Sequence, residues 1–191
     1  MAFLNLSAVR VCTEAEGPGK RFAIWCQGCL KKCPGCCNPE MQVMRKNHIV
    51  SVKDIEELIL KSRDEFDIEG VTFIGGEPML QAGGFAELAL WCHEHNLSVL
   101  VFTGFLLREL KDLDRDDINS LLNNTDVLVD GPFMQEQYDE DRDWIGSKNQ
   151  IVHFLSKRYS PGIEFEKQER SMELIFDEGK LRINGWPFLD R

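Results

Sequence analysis

The chain is expected to fold as an α/β protein, an incomplete β/α barrel of mostly parallel strands with an N-terminal hairpin and a C-terminal β-hairpin extension. Three observations predict this. Strand, turn and helix follow one another repeatedly between Gly70 and Pro132. The strands there are short and rich in apolar and β-branched residues, as strands covered on both faces are. The length of 191 residues falls short of the ~250 of a closed eight-stranded barrel, leaving room for about four to six parallel strands.

Taken in order, Phe3 to Cys12 and Lys20 to Cys26 are apolar-rich and flank Gly17-Pro18-Gly19, which marks a turn. They read as a hairpin that delivers its second strand into a cysteine-rich loop. Ser51 stands three residues before Asp54, with Val52, Ile55 and Ile59 on one face, predicting a capped helix over 52–64. Val71 to Ile74 is a strand that stops at Gly75-Gly76-Glu77-Pro78. Phe85, Leu88, Ala89 and Cys92 then keep helical spacing up to His93, His95 and Asn96. Leu97 to Phe102 is a strand ended by Thr103-Gly104. Helical turns fill 105–123, and Val127 to Val129 is a strand ended by Asp130-Gly131-Pro132-Phe133. Ile151 to Leu155 reads as the last strand of the sheet. In the tail Met172, Leu174 and Phe176, then Leu181 and Ile183, alternate about a turn at 177–180, which signals a hairpin. Residues 1–160 are thus expected as one domain and 161–191 as its hairpin extension.

Strands alternating with helices imply right-handed crossovers, a parallel sheet covered by helices on both faces, and every strand-to-helix loop at one edge. That carboxyl edge is where α/β folds bind ligands. The cysteine loop, Gly75-Gly76-Glu77, Thr103-Gly104 and Asp130-Gly131 all reach it by sequence order.

Net charge of −10 and a pI near 4.9 argue against nucleic-acid or anionic-membrane partners, which are held by Lys and Arg. The same acidity would repel an acidic flavodoxin. The acidic runs 112–117 and 139–143 read as solvated loops. The longest apolar run, Leu97 to Leu107, is interrupted by Ser98, Thr103 and Gly104, and the N-terminus has no basic start followed by a long apolar stretch. Neither a membrane span nor a signal peptide is expected. Seven cysteines, five of them between Trp25 and Pro39, make a poor disulfide framework and point to a reducing cytoplasm.

Cys29, Cys33 and Cys36 have the spacing C-x3-C-x2-C, with Cys26 upstream and Cys37 directly after. Three thiolates from one tight loop can hold three irons of a 4Fe-4S cluster and leave the fourth iron open for chemistry. Two alternatives stand beside this. Cys26, Cys29, Cys33 and Cys36 also spell a four-cysteine zinc site, although zinc pairs normally stand about 15–20 residues apart. An electron-transfer cluster would take Cys26 or Cys37 as its fourth ligand. Cys12 and Cys92 sit on apolar faces and read as core residues, and the four histidines form no ligand set.

At these residues the chain resembles the radical S-adenosylmethionine (SAM) superfamily. The run Gly28-Cys29-Leu30-Lys31-Lys32-Cys33-Pro34-Gly35-Cys36, with Asn38 beyond, resembles the activating proteins of anaerobic ribonucleoside-triphosphate reductase, with Cys37 where an aromatic is usual. So do Asp126 to Phe133 and Gly146 to Gln150. The likeness spans about residues 5–155 and fades beyond them. It implies a cluster on Cys29, Cys33 and Cys36 as the catalytic centre, SAM as second cofactor, and one-electron cleavage of SAM to methionine and a 5′-deoxyadenosyl radical. It also implies that Gly75, Gly76, Glu77 and Pro78 contact the amino group of SAM's methionine part, and that Thr103, Asp130 and Asn149 contact SAM elsewhere. The implied partners are a glycyl radical enzyme such as anaerobic ribonucleotide reductase and a small electron donor, flavodoxin or ferredoxin. A radical SAM enzyme acting on another peptide or a small metabolite is the second possibility, and an electron-transfer or zinc-binding module a third.

Overall fold

The computed structural model describes residues 2–166, 173–177 and 180–184. A seven-stranded sheet is built from β1 (Phe3–Thr13), β2 (Arg21–Cys26), β3 (His48–Ser51), β4 (Gly70–Gly75), β5 (Ser98–Phe102), β6 (Val127–Asp130) and β7 (Ile151–Phe154), in the order β3-β1-β2-β4-β5-β6-β7. The central strands β2, β4, β5 and β6 are parallel; β1 and β3 on one side and β7 on the other are antiparallel. The sheet is open, since β3 and β7 at its edges do not pair. The mixed, partly parallel sheet agrees with the expected class, but it does not close into a barrel.

Helices α1 (Val52–Phe66) and α2 (Ala82–Glu94) fall where the apolar spacing puts them. The Ser51 hydroxyl accepts the Asp54 N–H at 3.1 Å, satisfying one of the orphan donors at the start of α1. Asn96, just past α2, takes the left-handed conformation, φ 60°, that ends helices and that asparagine tolerates. The stretch 105–123 forms two short helices, α3 (Leu107–Leu113) and α4 (Asp116–Asn123), because Asp114 turns left-handed (φ 44°) and breaks the run.

The expectation of helices on both faces is corrected. Phe22, Ile24, Val71, Phe73, Val99, Val101 and Leu128 pack with the buried faces of α1, α2 and α4 in one core. Phe73 and Phe85 lie 4.6 Å apart between ring centres, and each such side chain contributes roughly 2–3 kcal/mol on burial. The alternate residues Trp25, Ile74 and Phe102 face the other way, into a cavity. That second face is covered by the loops 14–20 and 131–150 and by Met41 at the end of the cysteine loop, which packs on Ala23 and Trp25. The first is tied down where the Thr72 hydroxyl donates to Glu16 O (2.8 Å), and fully buried Arg21 bonds Thr72 Oγ1 (2.7 Å), Val71 O (2.6 Å) and Ser98 Oγ (3.0 Å). Strand β3 was not foreseen either, its four residues being too few for a visible period. In the tail, β8 (Glu173–Asp177) and β9 (Lys180–Asn184) pair antiparallel with Leu174 opposite Ile183, the expected hairpin; Met172, Glu178 and Gly179 lie outside the described residues.

Candidate active site

Strand β2 ends at Cys26, and the chain turns at Gly28 (φ 100°) into the cysteine loop. Backbone bonds clamp this loop on both sides. Gly28 N–H donates to Met41 O (2.8 Å) and Cys29 N–H to Gln42 O (3.2 Å); on the other flank Gly76 N–H reaches Cys26 O (2.8 Å) and Glu77 N–H reaches Gly28 O (2.9 Å). Cys33-Pro34-Gly35-Cys36 is a type II turn: Cys36 N–H donates to Cys33 O at 3.3 Å and Gly35 supplies φ 71°. Proline presets the second position and glycine permits the third, which is why this dipeptide stands between two ligand candidates.

Beneath the loop lies a cavity of about 410 Å³, within the size range of small-molecule and cofactor sites. Cys29, Cys33 and Cys36 line it together with Gly75, Gly76, Glu77, Thr103, Gly104 and Gly131. The loops after β2, β4, β5 and β6 therefore do meet at one place. Cys26 does not join them: the strand register turns it to the opposite face from Trp25, into the helix-side core, fully buried. A four-cysteine site thereby loses its first ligand, and the cysteines left at the cavity are Cys29, Cys33, Cys36 and Cys37. Cys92 is in the core and Cys12 packs against it. Among the described residues no three His, Cys, Asp or Glu side chains converge as ligands of a single ion. The fit of a cluster rests on three thiols sharing one cavity wall, with Lys31 N–H on Cys29 Sγ at 3.4 Å. Burial pushes the Cys29 and Cys33 thiols up. The hydrogen bond from Cys37 holds Cys36 down at about 6 and raises Cys37 itself.

Glu77 is buried and bridges two loops. Its Oε1 accepts Met79 N–H (3.0 Å) and Thr103 Oγ1–H (2.8 Å), and its Oε2 accepts Gly104 N–H (2.9 Å). Burial, outweighing these donors, pushes its carboxyl above the usual range. Thr103 Oγ1 also accepts Phe105 N–H (3.1 Å). Pro78 opens the 3-10 turn Pro78–Gln81 behind the cavity wall. The Asp130 carboxylate is aimed at the start of α3, accepting Leu107 N–H at 2.6 Å, with His153 Nε2 3.0 Å away. Asn149 donates to Pro132 O (2.8 Å). Neither Asp130 nor Asn149 is among the residues lining the cavity; Gln150 is, its Oε1 accepting the Gly146 and Ser147 N–H groups at 3.0 Å each.

Several lining residues escaped the sequence reading. Trp25, Ile74 and Phe102 form an apolar floor, and Phe133, Tyr138 and Trp144 come from the 131–150 loop. Arg142 pins that loop through Asp139 Oδ2 (2.7 Å) and Gln150 O (2.8 Å). Lys31 reaches in with Nζ 3.9 Å from the Phe105 ring centre.

Gly76 shows how closely the two glycine loops approach. A Cβ there would stand 2.4 Å from Gly28 O, a backbone atom that cannot step aside. Gly76→Ala is expected to destabilise the protein by about 1–3 kcal/mol, read from the urea midpoint, because both loops must be displaced.

Fold and site together define an α/β protein that presents a three-thiol loop over a ligand-sized cavity at the carboxyl edge of its sheet. The chain belongs to the 4Fe-4S single cluster domain family, whose model matches residues 15–153, and to the branch of the anaerobic ribonucleoside-triphosphate reductase-activating proteins. The relative of that name from Vibrio cholerae is 33% identical over 145 residues, covering 72% of this chain and 90% of the relative. That of Enterobacteria phage T4 is 26% identical over 151 residues, covering 77% and 92%. A pyruvate formate-lyase-activating enzyme from Listeria monocytogenes is 27% identical over 129 residues, covering 65% and 51%. No described helix is long and apolar enough to cross a membrane.

Proposed function

We propose that this chain is a radical SAM activating enzyme, which holds a 4Fe-4S cluster on Cys29, Cys33 and Cys36, binds SAM in the adjoining cavity and generates a glycyl radical on a partner such as anaerobic ribonucleotide reductase. The observation that carries this reading is the convergence of the three thiols and Gly75-Gly76-Glu77 on one cavity. When bound, the cluster supplies the electron that splits SAM into methionine and the 5′-deoxyadenosyl radical.

The chain's own residues bind, orient and exclude water. Gly75, with φ 103°, and Gly76 are glycines because a Cβ at either would strike the backbone of Trp25, Cys26 or Gly28, and at the cavity wall their carbonyls can accept from SAM's ammonium. Glu77 and Thr103 hold the two flanking loops in register. Trp25, Ile74 and Phe102 give an apolar floor from which water is displaced when SAM enters. Asp130 and Asn149 act behind the rim, one fixing the start of α3 and the other the Pro132 carbonyl. The open sheet leaves the cavity accessible to a protein loop carrying glycine. Such an enzyme works without oxygen in a reducing cytoplasm, as the free thiols require.

The test is electron paramagnetic resonance on the reduced, cluster-loaded chain mixed with SAM and a candidate reductase. A glycyl doublet is expected. SAM cleavage without a doublet on any candidate would redirect the reading to another peptide or a small metabolite, and no 5′-deoxyadenosine at all would end it.

A further inference from the structure

Resting on the reading above, we infer that the outer side of the cysteine loop is the docking face for an acidic one-electron donor protein. The alternation within the loop sends Cys29 and Cys33 inward, while Leu30 (59% exposed) and Lys32 face solvent. The strap 43–46 lies alongside: Gln27 Nε2 donates to Val43 O at 2.7 Å, Asn5 Nδ2 to Arg45 O at 2.7 Å, and the Met44 sulfur sits against Gly28. Val43 (51%) and Met44 (62%) are exposed, as are Arg45 and Lys46. None of these six residues lines the cavity, so a partner seated on them leaves its mouth free for SAM and the glycine-bearing loop.

Charge decides the occupant. On the solvent side of the segment 30–49 stand Lys32, Arg45 and Lys46 against the single Glu40, a local +2 in a chain of net charge −10, while Lys31 turns inward and pairs with Glu109. A second copy offering the same face would meet like charges at close range, which costs affinity. An acidic partner is drawn to this face and repelled elsewhere, so the overall acidity, which by itself argued against an acidic donor, becomes a steering device. The modest apolar patch suits the small interfaces of transient redox encounters. A cluster held by Cys29, Cys33 and Cys36 would accept the one electron that the donor gives up, with no proton or ligand exchanged.

The experiment uses the full reconstituted chain with a reduced acidic flavodoxin as probe. Association is followed by calorimetry at low and high salt, and electron transfer by bleaching of the visible absorbance. Arg45→Glu with Lys46→Glu, and separately Met44→Asp, are expected to abolish salt-sensitive association and to slow flavodoxin-driven bleaching about tenfold or more. Bleaching and SAM cleavage driven by dithionite should stay within about twofold of the parent. Flavodoxin rates equal to the parent's in both variants overturn the docking face. So does loss of glycyl radical formation under dithionite with flavodoxin-driven bleaching intact, which would assign the face to the protein substrate. A parent chain that takes up no iron, or cleaves no SAM with dithionite, overturns the underlying reading instead.

Discussion

Replacing Cys33 by alanine is expected to remove the iron-sulfur absorption and to lower SAM cleavage by about three orders of magnitude or more, a loss of roughly 4 kcal/mol in the barrier. The type II turn around Cys33 is closed by its backbone carbonyl, which alanine keeps, so the loop retains its course while losing a ligand. Cys33 is also only partly buried. Thermal unfolding of the metal-free chain should accordingly move little, which separates loss of a ligand from loss of the fold. Cys26→Ala supplies the contrast. Its sulfur is packed in the helix-side core, so the expected effect is about 1–2 kcal/mol of stability from the void, with iron and sulfide content unchanged. Anaerobic reconstitution followed by iron, sulfide and zinc analysis of both variants checks this. Retention of the full cluster by Cys33→Ala, or its loss from Cys26→Ala, would sink the assignment of Cys29, Cys33 and Cys36 as the ligand set.

The order of strands and helices was legible because the signals were local. Ser51 before Asp54, Asn96 after α2, and the glycines closing β4 and β6 each act within a few residues. What covers the second face of the sheet was not. Strands such as Val71–Ile74 and Val99–Phe102 are apolar or β-branched on both sides, and the same pattern arises whether the second face meets helices or loops. The residues that distinguish these cases are Arg21, Thr72 and Ser98, which bond one another beneath the 14–20 loop. Three polar side chains on the same face of adjacent strands are a signal visible only after the strands have been put in register.

The same limit governs the site. That Cys29, Cys33, Cys36 and Gly75 to Glu77 would come to one place was readable because the tight turns that carry them lie in contiguous sequence directly after strands. The apolar floor required knowing strand parity at the sheet's edge, where Trp25 and Ile74 stand opposite each other. Near the fourth loop the resemblance implies Asp130 and Asn149, and it is their neighbours Gly131 and Gln150 that line the cavity. Asp130 belongs to the face of Leu128, the helix side, so the alternation of β6 carries its carboxylate to Leu107. Net charge, likewise, described the whole surface while the cysteine loop's own neighbourhood has the opposite sign.

Glu77→Gln tests whether that carboxylate acts on the ligand or on the fold, and the expected result is a loss of about 2–3 kcal/mol of stability in the chain without SAM. All three groups facing Glu77 are donors: Met79 N–H and Thr103 Oγ1–H at Oε1, and Gly104 N–H at Oε2. An amide has one accepting oxygen and one NH2 group with nothing to accept with. Whichever way it turns, a backbone N–H, that of Met79 or of Gly104, faces another N–H in a buried place. The upward push on the Glu77 carboxyl does not soften this. A protonated carboxyl keeps lone pairs on both oxygens and can still receive all three donors, so the acid tolerates neutralisation where the amide does not. Because the broken bonds join the loops after β4 and β5, the glycine pair at the cavity should shift, and SAM affinity should fall as a consequence of the structural change. Urea unfolding of the parent and variant without cofactors, beside SAM titration of the loaded proteins, separates the two effects. A variant as stable as its parent within about 0.5 kcal/mol but tenfold weaker for SAM would transfer the role of Glu77 from holding the loops to touching the ligand.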